Sequence, residues 1–331
     1  MRILITGGAG FMGTTLAGNL VRDNNEITLL DMDFEHSAWA FSELRHNKNI
    51  NLVKADIMDL QEVERATRDA EVVLHLAAMV GVQEVIHNAL YTLDVNYIGT
   101  SNLLKAVSQG SHCKRLIYFS TSEIYGDNPL GMSEDADSIL SSMQNVRWCY
   151  CISKLAAEHL ALSYSRQKNL PVVIVRPFNT FGPGRVGDHV ILRFILKALS
   201  GEDLEVYGNG TQIRSWCYID DFCSGVLQCM KKERVIGQTF NLGNPRNTLT
   251  IYDLAKRVIL LCGSKSRISY KRLDFKDIDI RVPDITKARG NLGFDPKVEM
   301  EEGLLATIEW VKANVDELSS LMLAKKKQYV L

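Results

Sequence analysis

The stretch RILITGGAGFMG at residues 2–13 decides the fold. Its apolar start is typical of a buried strand, and a helical pattern opens at Phe11. Gly7 allows a tight turn, Gly10 lets the backbone approach a pyrophosphate at a helix N-terminus, and Gly13 permits close packing of the helix on the sheet. This strand–turn–helix unit predicts an α/β fold with a doubly wound parallel sheet that binds a dinucleotide.

Short β-branched runs alternate with helical patterns through the first half of the chain. The predicted strands are Arg2–Thr6, Glu26–Leu30, Val72–Leu76, Arg115–Ser120 and Val172–Arg176. The predicted helices between them are Phe11–Arg22, Val95–Gln109 and Cys149–Gln167. This alternation is the βαβ pattern of a parallel sheet with helices on both faces.

The pattern changes after Pro177, where loops that contain Gly and Pro follow. The further predicted elements are a helix over Val190–Ser200, a polar turn over Tyr207–Gly210 and a strand over Gln238–Gly243 that returns to the sheet. We therefore expect a dinucleotide-binding domain over residues 1–180 and a smaller lobe, mainly residues 181–331, that binds the second ligand.

The composition excludes several classes of protein. The 331 residues are 46% hydrophobic and 23% charged, which is typical of a globular chain. Lys and Arg total 38 against 39 Asp and Glu, so the chain has no basic field for nucleic acid. The longest apolar run, Val72–Val82, is too short to span a membrane, and the absence of a secretory pattern predicts a cytoplasmic protein. The cysteines form no C-x-x-C pair and the histidines no closely spaced pair, so no metal site is expected.

An acidic residue ends the second predicted strand. Asp31 lies 18 residues after Gly13, where a carboxylate accepts hydrogen bonds from an adenosine ribose. A 2'-phosphate would require a cation there, and residues 31–36 offer none except His36. The sequence therefore predicts NAD as the cofactor. Asp56 and Ile57 follow the third strand, where they either flank adenine or belong to an ordinary loop.

A tyrosine and a lysine share one face of the predicted helix over residues 149–167. Tyr150 and Lys154 stand at positions i and i+4. A nearby ammonium stabilises phenolate and so moves the phenol pKa from about 10 toward the range of a general base. Thr121 and Ser122 follow the strand that ends at Ser120, where a hydroxyl can link a substrate hydroxyl to the tyrosine.

These motifs together resemble the extended short-chain dehydrogenase/reductase family, specifically its nucleotide-sugar epimerases, dehydratases and decarboxylases. The resemblance covers nearly the whole chain. It includes motifs of the C-terminal half: Arg176-Pro177-Phe178-Asn179, Tyr207-Gly208-Asn209-Gly210 with Arg214, Asn241-Leu242-Gly243-Asn244, and Arg281-Val282-Pro283-Asp284.

The resemblance implies three sets of site residues. The catalytic set is Thr121, Ser122, Glu123, Tyr150, Lys154 and Arg281. The NAD-binding set is Gly7, Gly10, Phe11, Met12, Gly13, Asp31, Asp56, Ile57, Leu76, Ala77, Ala78, Asn96, Tyr150 and Lys154. The substrate-binding set is Asn179, Arg185, Tyr207, Arg214 and Arg281, in which Arg214 and Arg281 approach the pyrophosphate or the sugar.

Glu123 narrows the reaction within the family. The run STSEIYG at residues 120–126 is similar to the STSEVYG of UDP-glucuronate decarboxylases, and Arg147-Trp148 also resembles decarboxylases and apiose/xylose synthases. Simple 4-epimerases usually have a hydroxyl or small residue in place of Glu123. GDP-mannose dehydratases and hexose 4,6-dehydratases also carry a glutamate there, however. The leading prediction is decarboxylation of a UDP-linked hexuronic acid, with a 4,6-dehydratase and a C4 epimerase as alternatives.

The resemblance also implies a mechanism without net redox change. Tyr150 takes the proton of the sugar 4-hydroxyl while a hydride moves to NAD. Lys154 lowers the tyrosine pKa and holds the nicotinamide ribose. Thr121 relays the hydrogen bond between the sugar hydroxyl and the tyrosine. The resulting β-keto acid loses carbon dioxide beside Ser122, Glu123 and Arg281, and the hydride then returns.

Two further expectations concern the protein as a whole. A homodimer is expected through the predicted helices Val95–Gln109 and Cys149–Gln167, which form a four-helix bundle in relatives. A different class of function, an NAD-binding regulator without catalysis, usually lacks the tyrosine or the lysine. Because both residues are present, an enzyme is favoured.

Overall fold

The computed structural model describes residues 1–110, 112–127, 132–142, 144–272 and 277–328. Its strands are β1 Arg2–Thr6, β2 Glu26–Asp31, β3 Ile50–Lys54, β4 Val72–His75, β5 Arg115–Phe119, β6 Val172–Pro177, β7 Thr180–Phe181, β8 Leu204–Tyr207, β9 Ile213–Ser215, β10 Cys217–Tyr218, β11 Thr239–Leu242, β12 Thr248–Thr250, β13 Ile268–Lys271 and β14 Ile280–Arg281. Its helices are α1 Phe11–Val21, α2 Leu60–Thr67, α3 Val82–His87, α4 Ala89–Leu93, α5 Thr100–Gln109, α6 Trp148–Lys168, α7 Val190–Leu199, α8 Ile219–Lys231, α9 Ile251–Leu261, α10 Thr286–Leu292, α11 Met300–Ala313 and α12 Val315–Gln328.

Seven parallel strands form the central sheet, in the order β11-β6-β5-β4-β1-β2-β3. Every residue of β4 and β5 is buried, as expected for strands that carry helices on both faces. The predicted doubly wound parallel sheet is therefore confirmed.

Separate hydrophobic cores lie on the two faces of the sheet. One core contains Leu16 of α1 and Phe222 of α8, and the other contains Leu103 of α5 and Ala161 of α6. A third core joins α7, α9 and α11 in the C-terminal part of the chain. Small sheets complete this part: β12-β9-β14, β13-β8 and β10-β7.

The order of the strands places a crevice at one edge of the sheet. β1 lies between β2 and β4, so the connections on its two sides run in opposite directions. Ligands of doubly wound sheets bind at such a switch point, outside the carboxyl ends of the strands. The residues that directly follow β1, β4 and β5 begin with Gly7, Leu76 and Ser120, so the motifs from distant parts of the sequence meet at this edge.

The helix predicted over Val95–Gln109 differs from the structure. Helix α4 starts at Ala89, and a π-helical turn over Asp94–Gly99 connects it to α5. Asn96 of this wider turn accepts a hydrogen bond from the Met79 amide, a contact between distant residues that sequence periodicity does not reveal. Among the described helices, none is both long and apolar enough to cross a membrane.

Candidate active site

The glycine loop, residues 7–13, is shaped by close backbone contacts. Gly7 has φ +68°, and a Cβ there would lie 2.7 Å from the Ala77 nitrogen. A Cβ on Gly13 would lie 2.5 Å from the Gly7 oxygen. Gly10 is the N-cap residue of helix α1 and provides no side-chain cap, which leaves the first amides of the helix available to an anion. The loop therefore fits the pyrophosphate of a dinucleotide.

Asp31 ends β2 beside this loop. Its carboxylate accepts hydrogen bonds from the amides of Ala9 at 3.0 Å and Met32 at 2.8 Å. Burial raises the pKa of Asp31, and these amides act in the opposite direction. The carboxylate thus borders the cleft next to the loop, a position that suits a hydrogen bond to ribose hydroxyls.

A cleft of about 570 Å³ runs from the glycine loop to Tyr150. Most of the residues singled out from the sequence line it, and these are Gly7, Gly10, Phe11, Met12, Gly13, Asp31, Asp56, Ile57, Leu76, Ala77, Ala78, Thr121, Ser122, Glu123, Tyr150, Lys154, Asn179 and Arg185. The volume lies in the usual range for small-molecule sites.

Tyr150 lies in the first turn of α6 and forms a hydrogen bond with the Thr121 side chain. Burial raises the pKa of Tyr150, and the Thr121 hydrogen bond lowers it in part. The charge of Glu123 also raises this pKa, whereas that of Arg185 lowers it. The sequence predicts that Lys154 lowers the tyrosine pKa, whereas in the structure the largest influence on this pKa is burial, which raises it.

Lys154 follows one turn later in α6 and is only 2% exposed. Its Nζ lies 4.9 Å from the centre of the Tyr118 ring. Burial lowers the pKa of Lys154 to about 7, and the charge of Glu158 opposes this effect. Burial thus favours the neutral amine of Lys154, and the charge of Glu158 favours its ammonium form.

A group of charged side chains, named here the charged cluster, lies at the Tyr150 end of the cleft. It consists of Glu123, Arg147, Arg214, Asp277 and Arg281. Arg147 contacts Glu123 at 3.4 Å and also pairs with Asp277. Asp277 in turn contacts Arg214 at 3.2 Å, and Arg281 lies 3.9 Å from Glu123.

The charged cluster controls the ionisation of Glu123. Burial by itself would raise the pKa of this carboxyl, but the charges of Arg281, and then of Arg147, hold it below the usual range. Glu123 is 30% exposed, so its carboxylate is accessible from the cleft. Three arginines face two carboxylates, which leaves the charged cluster with an excess of one positive charge.

Four of the residues singled out from the sequence lie outside the lining of the cleft. Arg281 donates to the Ser122 carbonyl and so supports the turn that carries Glu123. Asn96 donates to the Ser153 hydroxyl at 3.0 Å. Tyr207 ends β8, where its ring lies 4.8 Å from the Arg193 guanidinium. The fourth residue is Arg214, which is joined to Asp277.

Among the acidic, basic and histidine side chains that line the cleft, sequence reasoning assigned no site role to Arg147, Asp188 and His189. Arg147 stands three residues before Tyr150, and its contact with Glu123 gives it a place at the reactive end. Asp188 and His189 lie in a loop with no recognisable motif, where Asp188 pairs with Arg193 at 2.9 Å. The spacing to Tyr150 could have indicated Arg147, whereas no sequence signal marks the other two.

Comparison with known proteins places this geometry in a family. Residues 3–243 match the family described as the NAD dependent epimerase/dehydratase family. The UDP-N-acetyl-alpha-D-glucosaminuronate decarboxylase of Bacillus cytotoxicus is 36% identical over 320 residues, which cover 94% of this chain and 98% of that protein. The UDP-glucuronic acid decarboxylase 1 of Xenopus tropicalis is 35% identical, over 95% of this chain and 73% of that protein.

A solved structure extends the comparison to the cofactor. The UDP-glucuronic acid 4-epimerase from Bacillus cereus, in complex with UDP-glucuronic acid and NAD, superposes with a TM-score of 0.87. It is 27% identical, and the match covers 95% of this chain and 99% of the epimerase. The predicted family resemblance and the predicted cofactor are confirmed, and the chain belongs to the NAD dependent epimerase/dehydratase family.

Proposed function

We propose that the protein is a decarboxylase of a UDP-linked hexuronic acid. The observation that carries the proposal is the charged cluster, in which an accessible Glu123 carboxylate lies among arginines beside Tyr150. Its excess positive charge suits a substrate that carries a carboxylate. The names of the Bacillus cytotoxicus and Xenopus tropicalis relatives support the same reaction.

The ionisation of Glu123 favours decarboxylation over dehydration. A dehydratase would use this glutamate to take the C5 proton, and that task requires a reasonably basic carboxylate. The arginines lower the pKa of Glu123 and so make it a weaker base. Decarboxylation of a 4-keto acid requires no such proton transfer from C5.

The residues of the chain divide the work as follows. Tyr150 accepts the proton of the sugar 4-hydroxyl, and Thr121 holds the phenol through their hydrogen bond. NAD, when bound, supplies the hydride acceptor for C4 and later the hydride donor. The charged cluster orients the sugar carboxylate, which leaves as carbon dioxide. The electron pair of the broken bond stays on C5 and the 4-keto group as an enolate, which takes a proton at C5 from solvent before the hydride returns to C4.

Substrate contacts outside the reactive end are proposed for the lobe of residues 181–331 and for the loop before it. Asn179 and Arg185 line the cleft, and Arg185 lies 5.3 Å from the Phe11 ring. We assign both to the nucleotide sugar. Arg214 and Tyr207 lie outside the lining of the cleft, and their role as substrate ligands stays a prediction.

C4 epimerisation is the second candidate. The superposed epimerase from Bacillus cereus is in complex with UDP-glucuronic acid, so this fold accommodates a uronic acid without the loss of carbon dioxide. An epimerase must rotate the keto sugar within the site. Glu123 and the arginines around it argue against an epimerase. The Glu123 carboxylate raises the pKa of Tyr150, which hinders the base, and epimerisation has no chemical use for this carboxylate.

We also propose a homodimer. Leu90 of α4 is 80% exposed, and Tyr97 and Ile98 of the π-helical turn are 42% and 44% exposed. These apolar side chains lie on the elements that pack against α6, so a second copy would cover an apolar surface. The cytoplasmic location stays a prediction.

Product analysis tests the proposed reaction. The protein with NAD is incubated with UDP-glucuronate and, separately, with UDP-N-acetylglucosaminuronate, and the products are analysed by mass spectrometry. We expect a product that is lighter by one carbon dioxide from at least one of them. A product of unchanged mass would indicate epimerisation, and neither substrate converted would contradict the proposal.

A further inference from the structure

Glu158 lies one helical turn beyond Lys154 on the same face of α6. It is 2% exposed, as is Lys154. A carboxylate is seldom buried to this extent unless it is paired. The glycine loop, the Tyr150–Lys154 pair and the charged cluster leave this residue without a role.

Arg176 of β6 holds the Glu158 carboxylate at both oxygens. Its Nη2 donates to Oε1 at 2.5 Å and its Nε donates to Oε2 at 3.2 Å. The remaining nitrogen, Nη1, donates at 2.8 Å to the Tyr125 hydroxyl and at 2.8 Å to the Glu134 carbonyl. Such a bidentate pair with additional hydrogen bonds fixes the carboxylate in one orientation.

Burial favours the neutral forms of three other ionisable groups, His75, Tyr118 and Tyr150. His75 of β4 is held between the hydroxyls of Thr6 and Thr100, and burial lowers its pKa to about 3. Burial raises the pKa of Tyr118 of β5 well above its ordinary value. Burial also raises the pKa of Tyr150, on the same helix as Lys154.

Three further elements pack against α6. The π-helical turn presents the uncharged Asn96 toward Ser153. The turn after β5 carries Glu123, whose charge acts on Tyr150, and β6 carries Arg176, which donates to the Glu158 carboxylate. Within the described residues, Glu158 is therefore the carboxylate whose charge opposes the effect of burial on Lys154.

We infer that Glu158, clasped by Arg176, is a positioning residue that keeps the Lys154 amine protonated next to Tyr150. The inference rests on the proposed function, in which Tyr150 is the base and Lys154 supports it. A neutral amine would not stabilise phenolate, so loss of the Glu158 charge would remove the cation that the base requires. Because Arg176 holds Glu158, the arginine of the Arg176-Pro177-Phe178-Asn179 motif also has an electrostatic role, through the effect of Glu158 on Lys154, in addition to its structural one.

The pH dependence of kcat/KM for the converted UDP-uronate tests this inference. In Glu158→Gln we expect the alkaline limb to move to lower pH by about one unit, as for the loss of a close opposite charge. Below that limb, activity should approach that of the unmodified protein. Activity lowered by one factor at every pH would overturn the inference, because a purely structural role predicts that result.

Two further variants guard against misfolding and indirect effects. Glu158→Gln leaves Arg176 unpaired, so Glu158→Gln with Arg176→Gln removes both charges; its alkaline limb should lie between those of the single variant and the unmodified protein. Glu134→Gln is the matched control, since Glu134 joins the same hydrogen-bond network without acting on Lys154. A shift in Glu134→Gln equal to that in Glu158→Gln would contradict the specific role of Glu158.

A direct titration separates this inference from the proposed function. With ¹³C-labelled lysine, the Lys154 Cε resonance is assigned as the one absent from Lys154→Met and is followed against pH without substrate. Its titration should move to lower pH in Glu158→Gln and stay in place in Glu134→Gln. An unchanged Lys154 titration in Glu158→Gln would overturn the inference. The expected move to lower pH, together with no conversion of any UDP-uronate by the unmodified protein, would overturn the proposed function alone.

Discussion

The two ends of the cleft are formed mainly by backbone groups at one end and by charged side chains at the other. At the cofactor end, the glycine loop provides backbone amides and packs closely against neighbouring backbone segments, and the Asp31 side chain borders it. At the other end, the charged cluster joins side chains from positions 123 to 281. The first end depends on the shape of a short continuous segment, and the second depends on a balance of charge among distant segments. Substitutions should therefore affect cofactor binding and chemistry separately.

The largest effect is expected from Tyr150, at the same end of the cleft as the charged cluster. Tyr150→Phe removes the group that takes the proton of the sugar hydroxyl, so turnover should fall by roughly two to four orders of magnitude. NAD and the UDP-sugar should still bind, because the ring is retained. Steady-state kinetics and calorimetry measure both quantities.

Tyr164→Phe is the matched control for this substitution, since it removes a hydroxyl from the same helix outside the cleft lining. Its turnover should stay close to that of the unmodified protein. Near-full activity in Tyr150→Phe would contradict the assignment of Tyr150 as the base.

A smaller effect is expected from a change within the charged cluster. Glu123→Gln removes one negative charge, so the arginines of the charged cluster carry more uncompensated positive charge. This positive charge stabilises the sugar carboxylate and therefore opposes the loss of carbon dioxide. The step after C4 oxidation should slow by about tenfold to a hundredfold, in line with charged hydrogen bonds of 1.5–3 kcal/mol. Enzyme-bound NADH should then accumulate, visible as near-ultraviolet absorbance after rapid mixing. Unchanged turnover without this absorbance would favour plain epimerisation.

The smallest effect is expected at the cofactor end. Asp31 repels a 2'-phosphate and accepts from ribose hydroxyls, so NAD should bind better than NADP. Asp31→Ala should narrow that preference by about tenfold, the value of one charged hydrogen bond. Asp33→Ala serves as the control, because its carboxylate bonds to the Glu35 and His36 amides instead. Equal affinities for both cofactors in the unmodified protein would refute the role of Asp31.

This difference also explains how much could be predicted from the sequence. The strands, the glycine loop and the place of Tyr150 and Lys154 follow from local patterns, because turns and helical spacing are set by neighbouring residues. The family resemblance indicated Arg281 and a direct approach to the substrate, which stays a prediction; its hydrogen bond to the Ser122 carbonyl, from outside the lining, was not predicted. Asp277 and His189 lie in loops without a motif. Their positions depend on tertiary packing, which no local pattern encodes.

Electrostatic environment was predicted less well than position. The spacing of Tyr150 and Lys154 on one helix face indicated that the ammonium would lower the tyrosine pKa. Burial acts in the opposite direction, because it raises the pKa of Tyr150 and lowers that of Lys154 to about 7. Burial of a helix face depends on what packs against it, so a sequence pattern alone does not give its size.

The fate of the sugar carboxyl carbon tests the central claim most directly. UDP-glucuronate or UDP-N-acetylglucosaminuronate labelled with ¹³C at C6 is incubated with the protein and NAD, and ¹³C NMR follows the label. If the charged cluster serves decarboxylation, the label leaves the sugar and appears as carbon dioxide and bicarbonate, without net formation of NADH. A label that stays in a converted nucleotide sugar would contradict the account.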